Sequence, residues 1–197
     1  MKVNEVLRQA EEELNYVGKK SAKDLDIKDA NTIGDFTKYA RDLYEAGYYN
    51  GNKQSFAWCC VYNDWLFWKV AGSKEEAIKV HPYSDLNAGV TWMKKAYQNA
   101  GRLDTTPRVG DSVFFTDKSG ALAHVGLVIE VNDDTIKTNE GNVGHKVVNK
   151  TYKLTDKFID SYGHPFYEDE PAPVPEDWKT IAEWQGLDNK VYRLQEK

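Results

Sequence analysis

Cysteine is scarce in this chain of 197 residues: there are two, side by side at positions 59 and 60. Adjacent cysteines cannot staple a fold, so a disulfide framework is excluded. They are also a poor start for a zinc site, whose ligands usually stand about two to four residues apart. An Asp-x-Asp-x-Asp-Gly calcium loop is missing too, so neither a metal nor a cofactor is expected. Positive charge is not in excess: 26 Lys and Arg face 31 Asp and Glu, for a net charge of -5. With no dense Lys/Arg stretch, nucleic acid is not an expected partner. Long hydrophobic runs are absent. The most apolar stretch, residues 59–72, contains Asn63, Asp64 and Lys69 and is too short to span a bilayer, so no membrane insertion is expected. The first residues, MKVNEVLRQAEEEL, lack the apolar core of a signal peptide, which predicts a protein made in the cytoplasm or exported by another route.

What is present points to one domain with a substantial core. Hydrophobic residues make up 41% of the chain, with six Trp and twelve Tyr. Helical patterns run first. Residues 4–16 place Val6, Leu7, Ala10 and Leu14 on one face, and Gly18 is the expected stop. Residues 35–45 form a second helix, the stretch from Cys59 to Ala71-Gly72 a third, residues 74–80 a weak fourth and residues 87–99 a fifth. After Gly101 the period changes to that of strands: 112–116, 123–131, 135–139 and 146–152, with residues 162–166 closing the sheet. Helices followed by a meander of antiparallel strands is the α+β order. From Glu168 the chain becomes acidic and Pro-rich (EDEPAPVPED), an extended linker over residues 168–177. A tail of residues 178–197 follows, with Trp178, Ile181, Trp184 and Leu187 at helical spacing. It is expected to be helical or the start of a further module.

The chemistry centres on a thiol and a distant imidazole. Cys59 opens an amphipathic helix, where the helix N-terminus favours a thiolate. About sixty-five residues on, His124 opens the apolar strand AHVGLVIEV, while His81, His145 and His164 fall in turns or beside prolines. A nucleophilic cysteine needs such a base, and the base needs an orienting group. The competing reading is that both cysteines are small buried hydrophobes, as most free cysteines are.

The wider pattern resembles the cysteine, histidine-dependent amidohydrolase/peptidase family, CHAP. WCCVYNDW (residues 58–65) is similar to the family's Trp-Cys-Ala-x-Phe-Val-x-Trp, PRVGDSVFF (107–115) to its Pro-x-x-Gly-Asp element, HVGLVIEV (124–131) to its His-Val-Gly strand, and EGN (140–142) to its Glu-x-Asn. The resemblance covers residues 1–167. It implies a papain-like fold, N-terminal helices packed on an antiparallel sheet, and cleavage of amide bonds in peptidoglycan. Carried over by position, Cys59 is the nucleophile, His124 the base, and Glu140 and Asn142 the groups that orient the ring. Two residues apart on a strand end, Glu140 and Asn142 are expected to point the same way. Cys60 stands where the family has a small residue. The backbone N–H of Cys59 is one expected oxyanion donor and Gln54 a candidate second. Trp58 and Asn63 are candidates for lining the substrate cleft. The expected partner is bacterial peptidoglycan, with the tail touching the wall or a second chain, in the manner of a phage endolysin made in the host cytoplasm and acting on the wall. Two other readings stay open: another papain-like cysteine acyl hydrolase or acyltransferase, and a non-catalytic wall-binding module that keeps the fold.

Overall fold

The computed structural model describes residues 1–29, 33–83 and 88–169 in full, and the backbone of 179–185 and 191–196. Among the described residues the helices are α1 (Val3–Glu13), α2 (Lys38–Glu45), α3 (Cys59–Ala71), α4 (Lys74–Val80) and α5 (Val90–Asn99). Six strands follow: β1 (Leu103–Asp104), β2 (Ser112–Thr116), β3 (Leu122–Val131), β4 (Thr135–Val143), β5 (Lys146–Lys153) and β6 (Ile159–Gly163). They form one antiparallel sheet in the order β1-β6-β2-β3-β4-β5, so the fold is α+β.

Local chemistry sets the helix ends. Thr37 accepts the Ala40 N–H at 3.1 Å and Ser73 accepts the Glu76 N–H at 3.2 Å, as N-cap side chains do. Gly72 ends α3 in the left-handed region, φ 77°. The first helix stops at Glu13, earlier than its apolar spacing predicts, because Asn15 turns into the left-handed region (φ 71°). Gly18 has a different use from the expected one. A Cβ there would lie 2.3 Å from the Gly34 carbonyl oxygen, so glycine lets two backbones touch.

The central element is α3. Nine of its thirteen residues, Cys59 to Phe67, are buried. A helix apolar around its whole circumference is an interior helix. Trp58, Val61, Tyr62, Trp65 and Leu66 pack with Val6 and Ala10 of α1, Tyr39 and Leu43 of α2, and Leu127 of the sheet. The end bearing Cys59 and Cys60 packs with Met93 and Tyr97 of α5 and with Phe114 and Val125. Helix and sheet approach closely where glycine allows it: a Cβ on Gly141 would stand 2.6 Å from Tyr62 Cβ and 2.8 Å from its ring.

The sheet departs from expectation at three places. β4 continues through Glu140, Gly141 and Asn142 to Val143, where a loop is predicted. The closing strand is Ile159–Gly163, earlier than 162–166, and the two-residue β1 pairs with its end. The tail is not helical over the described residues: β7 (Lys179–Gln185) and β8 (Val191–Glu196) form an antiparallel pair. Thr180, Ile181, Trp184, Val191 and Tyr192 are strand-favouring residues, and their preference outweighs an apolar spacing of three that also suits a helix. Trp178, Leu187 and most of the linker lie outside the described residues.

Candidate active site

Three elements converge on one point. The β3–β4 ladder closes at the pair Leu127↔Asn139, yet both strands run on past it. Beyond that pair the Val125 N–H meets the Cys59 thiol instead of a β4 carbonyl. Cys59 is the first residue of α3. Its N-cap, Trp58, supplies no capping side chain, so the first N–H groups of the helix keep no internal partner.

His124 also hydrogen-bonds Cys59. Its Nε2 lies 2.9 Å from Glu140 Oε2, which leaves Nδ1 as the nitrogen for the thiol. The imidazole edge is partly open, at 23% exposure, whereas the Glu140 side chain is fully enclosed. The other Glu140 oxygen accepts the Thr138 hydroxyl at 2.6 Å, and the Tyr152 phenol reaches the same carboxylate. Phe115 lies beside both rings, with centroids 5.9 Å from His124 and 4.8 Å from Tyr152. Gly126 makes the seat for Glu140: a Cβ there would stand 2.7 Å from Glu140 Cγ.

The electrostatics follow from these contacts. The Cys59 thiol is held well below its ordinary value, first by the Cys60 thiol donating to it and then by the His124 hydrogen bond and charge, which together outweigh burial. Burial pulls His124 down, but the hydrogen bonds and charges of Cys59 and Glu140 win and push it up to about 9. Burial raises Glu140, while His124 and Thr138 donating to it bring it below its ordinary value. Cys60 goes the other way, well above an ordinary thiol, because it is the donor to Cys59 and is entirely enclosed. These directions favour a thiolate beside an imidazolium, the form in which a cysteine attacks a carbonyl.

Carboxylate partners alone do not mark the site, because every histidine has one. His81 Nε2 lies 2.7 Å from Asp64, His145 Nδ1 2.9 Å from Asp35, and His164 Nδ1 2.7 Å from Asp111. Among the described residues, only His124 also meets a thiol.

The structure places four of the expected side chains differently from the sequence expectation. Asn142 does not share the face of Glu140: a bulge between Glu140 and Val143, with Asn142 at φ 65°, breaks the alternation. Among the described residues no hydrogen bond joins Asn142 to the imidazole. Gln54 is tied to the start of α2, accepting the Thr37 N–H at 2.8 Å and donating to the Thr37 carbonyl at 2.7 Å, so at most one amide hydrogen remains for another acceptor. Trp58 does not line a cleft. It is fully buried against Tyr16, Tyr39 and Tyr62. Asn63 is also buried, accepting the Ser112 hydroxyl at 2.9 Å. Aromatic packing draws Trp58 inward, and the Ser112 hydroxyl gives Asn63 a buried partner. Sequence reading missed Thr138 and Tyr152. Thr138 was legible in principle, two residues before Glu140 and so on the same face of one strand, but only if that strand is seen to run through position 140.

Among the described residues, no group of three or more His, Cys, Asp or Glu side chains is placed to hold a metal ion. No helix among them is long and apolar enough to cross a membrane.

The family model for the CHAP domain matches residues 47–142, a span that contains Cys59, His124 and Glu140. No curated protein matches the chain. A solved structure titled the crystal structure of Ly7917 is similar at 15% identity and a TM-score of 0.49, over 84% of this chain. The match takes in 62% of that chain, so this chain spans less than two thirds of its length.

Proposed function

We propose that this chain, whose residues 47–142 match the family model for the CHAP domain of cysteine- and histidine-dependent amidohydrolases and peptidases, hydrolyses an amide bond of peptidoglycan through a thioester on Cys59. The observation that carries the reading is the line Cys59–His124–Glu140, with the thiol held low and the imidazole held at about 9.

The geometry supports the following steps. The Cys59 thiolate attacks the amide carbonyl carbon, and the Cys59 N–H at the start of α3 faces the developing oxyanion. The His124 imidazolium gives its proton to the amide nitrogen; the C–N bond breaks and an amine leaves. His124, now neutral, takes a proton from water, and the hydroxide attacks the thioester carbon. The C–S bond breaks, releasing a carboxylic acid and restoring the thiolate beside an imidazolium. Glu140 stays ionised throughout, orienting the ring and supporting its charge without reacting. The bond cut is either the sugar–L-alanine amide or a peptide bond of the stem or cross-bridge, in the manner of an endolysin working on the bacterial wall.

A turbidity assay on purified wall tests this. The wild-type protein should clear the suspension and Cys59→Ala should not. Wall binding without clearing by either protein would favour a binding module. Clearing by both would remove Cys59 from the chemistry.

A further inference from the structure

The proposed reaction uses Glu140 but leaves open what holds it. A buried carboxylate can fail in two ways. It can rotate away from the imidazole, or it can take a proton and become neutral. Both are blocked here by groups outside the nucleophile–base pair. Thr138 is fully buried, and its hydroxyl has one hydrogen to give. Glu140 Oε1 lies 2.6 Å from that hydroxyl and the Lys150 carbonyl 3.4 Å, so the carboxylate receives it. With Oε1 fixed by Thr138 and Oε2 facing His124, the carboxylate cannot turn without losing a bond. The absent side chain of Gly126 gives it a floor to lie on. The titratable groups facing it are His124 from β3 and Tyr152 from β5; Cys59 and Cys60 stand behind the imidazole, and Asp156 behind Tyr152.

Resting on the reading above, we infer that Thr138, seconded by Tyr152, is a positioning residue: it locks Glu140 in its ionised, ring-facing form and so sets the charge state of the Cys59–His124 pair. Without the Thr138 hydroxyl the buried carboxylate loses one of its donors, its charged form is disfavoured, and the imidazolium loses part of its counter-charge. The thiolate then forms only at higher pH.

The test needs no substrate. The full chain is treated with iodoacetamide across a pH series, and alkylation of the Cys59 peptide is followed by mass spectrometry. Wild type should react with its inflection well below that of an ordinary thiol. Thr138→Val, close in shape but without a donor, should move that inflection up by about one pH unit and slow alkylation below it about tenfold. Thr138→Ser should restore the wild-type curve, which a purely packing role would not require. Should Thr138→Val fail to fold, Tyr152→Phe is the second variant, with an upward movement of smaller size. An unmoved inflection in whichever folded variant is measured overturns the inference while leaving the active-site reading intact. An ordinary thiol curve in wild type removes the active-site reading, and the inference with it.

Discussion

Cys59 and Cys60 differ by one position and by most of their chemistry. Cys59 is 6% exposed and paired with His124, whereas Cys60 is fully enclosed with its thiol held protonated. Cys59→Ser should therefore abolish hydrolysis without unfolding the protein. Cys60→Ala should keep most of the rate, with its acid limb moved upward because the thiolate loses a donor. A dead but folded Cys60→Ala beside an active Cys59→Ser would reverse the assignment. The pH dependence follows from the same two groups. A raised imidazole keeps its proton until about pH 9, so activity falls on the alkaline side there. A lowered thiol keeps its negative charge in acid, so the acid limb lies well below the ordinary thiol value. Glu140→Gln removes a charge that supports the imidazolium. It should move the alkaline limb down and cost on the order of a thousandfold in rate. An alkaline limb that stays in place in that variant would mean that another group holds the imidazole.

Among the elements, α3 organises the molecule, and it was the most legible. Its apolar run, with Trp58 before it and Gly72 after it, predicts Cys59–Ala71, and the structure has it there. β2 and most of β3 were legible for the same reason: short apolar runs between turn residues. What sequence could not show was direction. Trp58 and Asn63 flank or follow the nucleophile closely and look like cleft residues, but a helix buried all round draws its neighbours inward. The end of β4 was missed because Gly141 and Asn142 read as a turn. In the structure Gly141 instead admits the Tyr62 ring, and the strand bulges without ending. His81, beside Pro82, reads as a turn residue in the sequence. It is fully buried, stacked on Phe67 at 4.2 Å, and bridges Asp64 of α3 to Tyr97 of α5, with Tyr49 on the other carboxylate oxygen. This link ties α3 to α5 through Tyr97, which packs at the cysteine-bearing end of the helix, and among the described residues it makes no hydrogen bond to Cys59. His81→Ala should lower stability on the order of 3 kcal/mol, since it leaves a buried carboxylate short of a partner. Chemical unfolding would read that loss, and Cys59 alkylation below the transition should stay as in wild type. A variant of unchanged stability would show that the bridge contributes nothing.

At the scale of the whole molecule, the matched span 47–142 holds the proposed nucleophile, base and orienting group, while α1, α2 and β5 to β6 complete the core outside it. The proposed catalytic unit is residues 1–167, with the acidic Pro-rich stretch and the β7–β8 pair as an accessory. A two-stranded pair alone is marginally stable, so the tail is expected to work against another surface, the wall or a second chain. Truncation after Tyr167 should leave the rate on a small soluble muropeptide unchanged, and loss of that rate would place the tail inside the catalytic unit. The central claim, amide hydrolysis of peptidoglycan through Cys59, is tested most directly by mass spectrometry of fragments released from purified wall by wild type and by Cys59→Ala. The account predicts fragments that have gained one water at an amide bond, each cut leaving a new amine and a new carboxylate, with wild type alone. Cuts at the sugar–sugar linkage, or identical fragments from Cys59→Ala, would contradict it.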